Sequence, residues 1–126
     1  MKKIYLPDAP APVGHYSPAV VHNGLIFVSG QLPIVPETGE AVTGSIEAQT
    51  EQCLRNLEAI LKEAGSDLNH VLKTTAFITE DGLWGAVNAT YKRVFGEHRP
   101  ARAIIPVGEL REPFLIEIEA VAAVKE

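Results

Sequence analysis

Arg102 stands in an apolar run, Ala101-Arg102-Ala103-Ile104-Ile105-Pro106, and further on Glu117 and Glu119 share one face of the alternating run Leu115-Ile116-Glu117-Ile118-Glu119-Ala120. Charge in apolar surroundings is costly unless it is paired or binds something. A guanidinium fork matches the two oxygens of a carboxylate at once. A partly buried carboxyl group holds its proton to higher pH. A cationic anchor and an acid in a greasy setting read as a site for a small anionic molecule. A structural ion pair between Arg102 and Glu117 explains the same pattern, and strand alternation alone leaves the two readings about level. Glu119 reads as a solvated or interface charge. Arg99 and Arg111 read as surface or interface charges; added positive potential at a pocket mouth is the less favoured reading of either.

Other chemistries find little support. There is no phosphate-cradling glycine loop, dinucleotide fingerprint or G-x-S-x-G elbow. His15, His22, His70 and His98 lack ligand spacing with one another or with Cys53, so no metal is expected. Cys53 falls on the apolar stripe of a helix, where a buried structural thiol is the expectation rather than a nucleophile. Ser29, before Gly30 at a strand end, fits a hydrogen-bonding site residue and a plain strand-terminal serine equally well.

The 126 residues suit one domain, 1–126, and 46% hydrophobic content suffices for a packed core. A formal net charge of -5 weighs against a general nucleic-acid or membrane-surface binder. A single cysteine cannot close an internal disulfide. With no signal-like or membrane-length apolar stretch, a cytoplasmic location is expected.

These residues need elements to hold them. Ala19–His22 and Leu25–Ser29 flank Asn23-Gly24, the strongest short hairpin signal. A helix is expected from Ile46 to Ala64, capped by Ser45 and stopped by Gly65, with Cys53, Leu54, Leu57, Ile60 and Leu61 on one stripe. Val71–Thr79 reads as a strand. A second helix, Leu83–Phe95, is expected with Asp81 as its cap and Trp84, Val87, Tyr91, Val94 and Phe95 facing inward. Ala101–Val107 and Phe114–Val124 are the last strands. This order, with a short strand near Lys3, suggests an α+β fold: one mixed β-sheet with two helices packed on one face. Ile116, Ile118, Ala120 and Ala122 should meet the helices. The opposite face is too apolar for full exposure, which suggests subunit association.

Taken in order, Gly14-His15-Tyr16, Val28-Ser29-Gly30-Gln31-Leu32-Pro33, Thr38-Gly39-Glu40, Gln52-Cys53-Leu54-Arg55-Asn56-Leu57, Lys73-Thr74-Thr75-Ala76-Phe77, Val87-Asn88-Ala89-Thr90-Tyr91, Pro100-Ala101-Arg102 and Ile116-Glu117-Ile118-Glu119-Ala120 resemble the reactive intermediate deaminase family, RidA or YjgF. The resemblance covers nearly the whole chain. It implies a chorismate-mutase-like fold and a homotrimer with sites at subunit boundaries. It also implies cofactor-free hydrolysis of enamines and imines such as 2-aminoacrylate and 2-iminobutanoate to 2-keto acids and ammonia. It implies a carboxylate clamp at Arg102, an acid near the leaving nitrogen at Glu117, a pocket tyrosine at Tyr16, a serine contact at Ser29, a backbone contact at Gly30 and a water-orienting carbonyl at Ile104. The chain departs from the family where many members carry cysteine (Ile104), serine or threonine (Ala103) and proline (His15). These departures bear on substrate choice and suggest a larger or more apolar side chain. Two alternatives stay open: a non-catalytic trimer that binds or senses a small carboxylate, and, less favoured by the acidic balance, RNA cleavage.

Overall fold

The computed structural model describes residues 1–126. Strands β1 (Lys2–Ile4), β2 (Ala19–His22) and β3 (Leu25–Gln31) precede helix α1 (Ile46–Glu63); β4 (Val71–Ile78) is followed by helix α2 (Trp84–Phe95), β5 (Ala101–Pro106) and β6 (Ile116–Ala123). The sheet order is β1-β2-β3-β6-β4-β5, antiparallel throughout except for the parallel β4–β5 pair. This is the expected α+β architecture.

Local chemistry sets the element ends. Asn23 and Gly24 both take positive φ, 51° and 77°, as a tight two-residue hairpin turn requires. The Ser45 hydroxyl accepts the Ala48 N–H at 3.1 Å and caps α1, whose last turn gives way at Ala64 and Gly65. The expected Asp81 cap does not form. Backbone turns tightly through Asp81–Leu83 and runs straight into α2, so Leu83 occupies the cap position in helical conformation without a side-chain bond.

Cys53, Leu54, Leu57, Ile60 and Leu61 of α1 meet Ile26, Val28, Ile116 and Ile118 of the sheet in one continuous core. Cys53 is fully buried, its thiol directed at the Ile116 carbonyl at 3.9 Å, and burial pushes its ionisation far upward. Along β6, Ile116, Ile118, Ala120 and Ala122 are buried beneath the helices, as alternation required. The other face of the sheet has no cover from this chain: Phe27 is 48% exposed and Ile105 41%. No helix is long and apolar enough to cross a membrane.

Candidate functional site

Parallel pairing with β4 sets Arg102 beside Thr74 and Ile104 beside Ala76. Thr74 and Ala76 are buried, so Arg102 and Ile104 project to the helix face. There the Arg102 guanidinium carbon lies 4.9 Å from the Tyr91 ring centre and 5.4 Å from that of Trp84. Ring faces hold a guanidinium by its flat sides and leave its N–H edge free. Tyr91 is itself fixed by a buried hydroxyl–hydroxyl bond to Thr74 at 2.9 Å, and burial pushes its phenol up to about 12. Trp84 corrects the helix reading: it is 45% exposed rather than turned inward, because the sheet ends at β5 beneath it and Arg102 fills the space. Arg102 borders a cleft of about 540 Å³ whose wall also includes Asn88, Lys92 and Arg99. Ile104 packs its side chain against the core, which leaves only its backbone for a ligand.

Glu117 leaves the opposite face of the sheet, level with Phe77 on β4. The register of β3 against β6 slips between Val28 and Gln31, and Ser29 and Gly30 occupy that irregularity. A Cβ on Gly30 would sit 2.9 Å from Glu117 Cδ, so only glycine lets this carboxylate lie against the strand. Burial raises the Glu117 pKa, the like charge of Glu119 adds to the rise, and Arg111 opposes it. Ser29 donates to the Ser17 carbonyl at 2.6 Å and its N–H donates to the Pro18 carbonyl at 2.9 Å, tying the segment that carries Tyr16 to β3. Tyr16 and Gly30 border a second cavity of about 460 Å³ together with Leu32, Ile34 and Arg111. Asn56 holds that wall in place by donating to the Leu32 and Ile34 carbonyls at 3.1 and 2.8 Å.

The candidate residues thus fall into two halves. Tyr16 and Gly30 line the cavity, with Glu117 against Gly30 and Ser29 bonded to the Tyr16 segment; Arg102 and Ile104 stand on β5 at the sheet edge, turned the other way. The Arg102–Glu117 ion pair that the sequence left open does not form, nor does Arg102 pair with any other carboxylate of the chain. Trp84, which shapes the Arg102 half, carried no sequence signal beyond helical spacing, and Tyr91 none beyond that spacing and its place in a family-like stretch. No group of three or more His, Cys, Asp or Glu side chains gathers in metal-binding geometry.

The family model described as Endoribonuclease L-PSP matches residues 6–124. A RutC family protein from Pyrococcus abyssi is 44% identical over 94% of each chain. The rat protein named 2-iminobutanoate/2-iminopropanoate deaminase is 42% identical over 96% of this chain and 88% of its own. The crystal structure of E. coli TdcF with bound serine superposes with a TM-score of 0.91 at 34% identity, covering 99% of this chain and 100% of that one.

Proposed function

The chain belongs to the endoribonuclease L-PSP family, that of the YjgF and RidA proteins, and from that premise we propose that it is a hydrolytic deaminase of small enamine and imine carboxylates such as 2-aminoacrylate and 2-iminobutanoate. The observation that carries this reading is the Arg102 guanidinium, held between two rings with its N–H edge free of any carboxylate. The rat relative named for imine deamination and the serine bound to TdcF, itself an amino acid carboxylate, support it.

In this reading the 1–126 domain forms a homotrimer in the cytoplasm, its uncovered sheet faces turned inward. Each site then joins the partner's Arg102 and Ile104 to Tyr16, Ser29, Gly30 and Glu117. The opposite directions taken by Arg102 and Glu117 within one chain support a site completed by a second copy. Arg102 clamps the substrate carboxylate in a bidentate pair and fixes the imine carbon for attack. Water, oriented by the Ile104 carbonyl on edge strand β5, adds to that carbon while the C=N electron pair moves to nitrogen. Glu117, whose carboxyl holds its proton to higher pH because of burial, gives a proton to the nitrogen and recovers one from the added water. It protonates the nitrogen again as the C–N bond breaks. Ammonia leaves with the bonding pair, and the hydroxyl proton returns to Glu117 as the keto group forms. An enamine first tautomerises to the imine, taking a solvent proton at its terminal carbon and giving one from nitrogen back to solvent, and then follows the same course. Spontaneous hydrolysis is already feasible, so positioning and one proton carrier suffice.

The test is keto-acid release from an aminoacrylate-generating dehydratase mixture. Wild-type protein should accelerate release, and Arg102→Ala should lose about 2–5 kcal/mol of substrate binding, roughly 30- to 5,000-fold in kcat/KM. Full activity in Arg102→Ala ends the proposal. Keto-acid binding without any acceleration makes the chain a carboxylate binder instead.

A further inference from the structure

The cavity beside Tyr16 and Gly30 has an otherwise uncharged wall, and its one charged side chain is Arg111. The neutral amides there are engaged: Asn56 donates to two carbonyls and Gln31 donates to the Ser29 carbonyl at 3.0 Å. Arg111 makes no ion pair with any carboxylate of the chain. Its backbone is fixed in a tight turn, closed by a bridge between Leu110 and Phe114 and by the Phe114 N–H donating to the Arg111 carbonyl at 3.0 Å. That turn holds Arg111 at a φ of 34°, a left-handed conformation that a long side chain adopts only under strain. Glycine would take it freely. The chain therefore carries a strained, unpaired cation on the wall of an apolar cavity, next to the proton carrier.

We infer that Arg111 is a second carboxylate anchor, and that the ligands this site prefers are 2-imino and 2-keto acids whose side chain ends in another acid group. The inference rests on the two-copy site proposed above: the partner's Arg102 takes the carboxylate beside the reacting carbon, and Arg111 takes the one at the far end. The cavity of about 460 Å³ has room for a four- or five-carbon diacid. Ile104 and Ala103 had suggested a more apolar substrate side chain. Ile104 packs into the core, however, Ala103 lies beside Thr75 on the uncovered sheet face, and neither lines this cavity in its own chain.

Calorimetric binding of 2-oxoglutarate and oxaloacetate, set against 2-oxobutyrate, tests the anchor on the assembled protein without turnover. The better diacid should bind about ten- to a hundredfold tighter than the monoacid, the range of one charge-assisted pair. Arg111→Gly deletes the side chain and relieves the strained φ, so it should fold at least as well as wild type while the affinity ratio falls to near one. Arg111→Lys should keep part of the preference. Equal affinities in wild-type protein, or an Arg111→Gly ratio equal to that of wild type, overturn the anchor. Binding ratios and turnover fail separately. A protein that discriminates the acids but hydrolyses no imine keeps the anchor and loses the deaminase reading, and one that hydrolyses 2-aminoacrylate without discriminating does the reverse.

Discussion

Gly30→Ala separates the position of Glu117 from its presence. The added methyl would lie 2.9 Å from Glu117 Cδ, closer than carbon atoms tolerate, and 3.3 Å from Cγ, a tight contact. The obstructing group is the far end of a flexible side chain, and Gly30 takes no positive φ. The strand should therefore stay in place while the carboxylate swings away. Displacing one side chain from its preferred rotamer costs about 0.5–1.5 kcal/mol, which for a chain of this length lowers Tm by about 2–8 °C. Loss of a positioned proton carrier costs about 10²–10⁴-fold in kcat. Thermal melts should thus show a folded protein, and keto-acid release should show kcat down by about 100-fold or more with keto-acid affinity less affected, since Arg102 is untouched. Adding Gly30→Ala to Glu117→Gln should bring little further loss, because two changes acting through one group do not add. A folded Gly30→Ala protein with normal kcat, or a double variant whose losses multiply, would refute the reasoning.

Two further outcomes probe the scaffold. Tyr91→Phe keeps the ring under Arg102 but leaves the buried Thr74 hydroxyl without its 2.9 Å partner, so urea denaturation should show about 1–3 kcal/mol lost. Adding Thr74→Val should restore most of it, and failure to do so would mean that the bond contributes little. The Asp67 carboxyl is held below its ordinary 3.8, chiefly by the hydrogen bond from His70 at 2.7 Å, with Lys125 adding at 3.6 Å. A depressed carboxyl stabilises the fold above its unfolded pKa, and the gain disappears as pH falls through the folded value. Asp67→Asn should accordingly melt slightly below wild type at pH 5–6, by a few tenths to about 1 kcal/mol for so exposed a pair, with the gap closing below about pH 3.8. A gap that does not change with pH would rule out the charge as its source.

What the sequence made legible was local. The Asn23-Gly24 hairpin, the Ser45 cap and the alternation of β6 each rest on a few neighbouring residues, and each stands as read. Strand alternation marked Arg102 and Glu117 as unusual but could not relate them, because their directions depend on how β5 and β6 pair with β4. Trp84 was misjudged for the same reason: helical spacing puts it in line with Tyr91, yet the sheet runs out beneath it. Asp81 has the chemistry of a cap, and the tight turn that starts at this residue removes the extended conformation a cap requires. Arg111 read only as a surface or interface charge, since nothing in Glu109-Leu110-Arg111-Glu112 announces a left-handed backbone.

β6 lies between β3 and β4, although it follows both in the chain. Until residues 116–123 arrive, the hairpin side of the sheet and the β4–β5 side have no common ladder, and each presents an open edge to other chains. Joining them requires contacts between segments far apart along the polypeptide, the slow kind of contact in folding. The stretch that closes the gap is also the one that carries Glu117. The proposed proton carrier and the closure of the sheet are therefore acquired in one event, and a partly folded chain that lacks β6 is open to aggregation and without Glu117 in place at once.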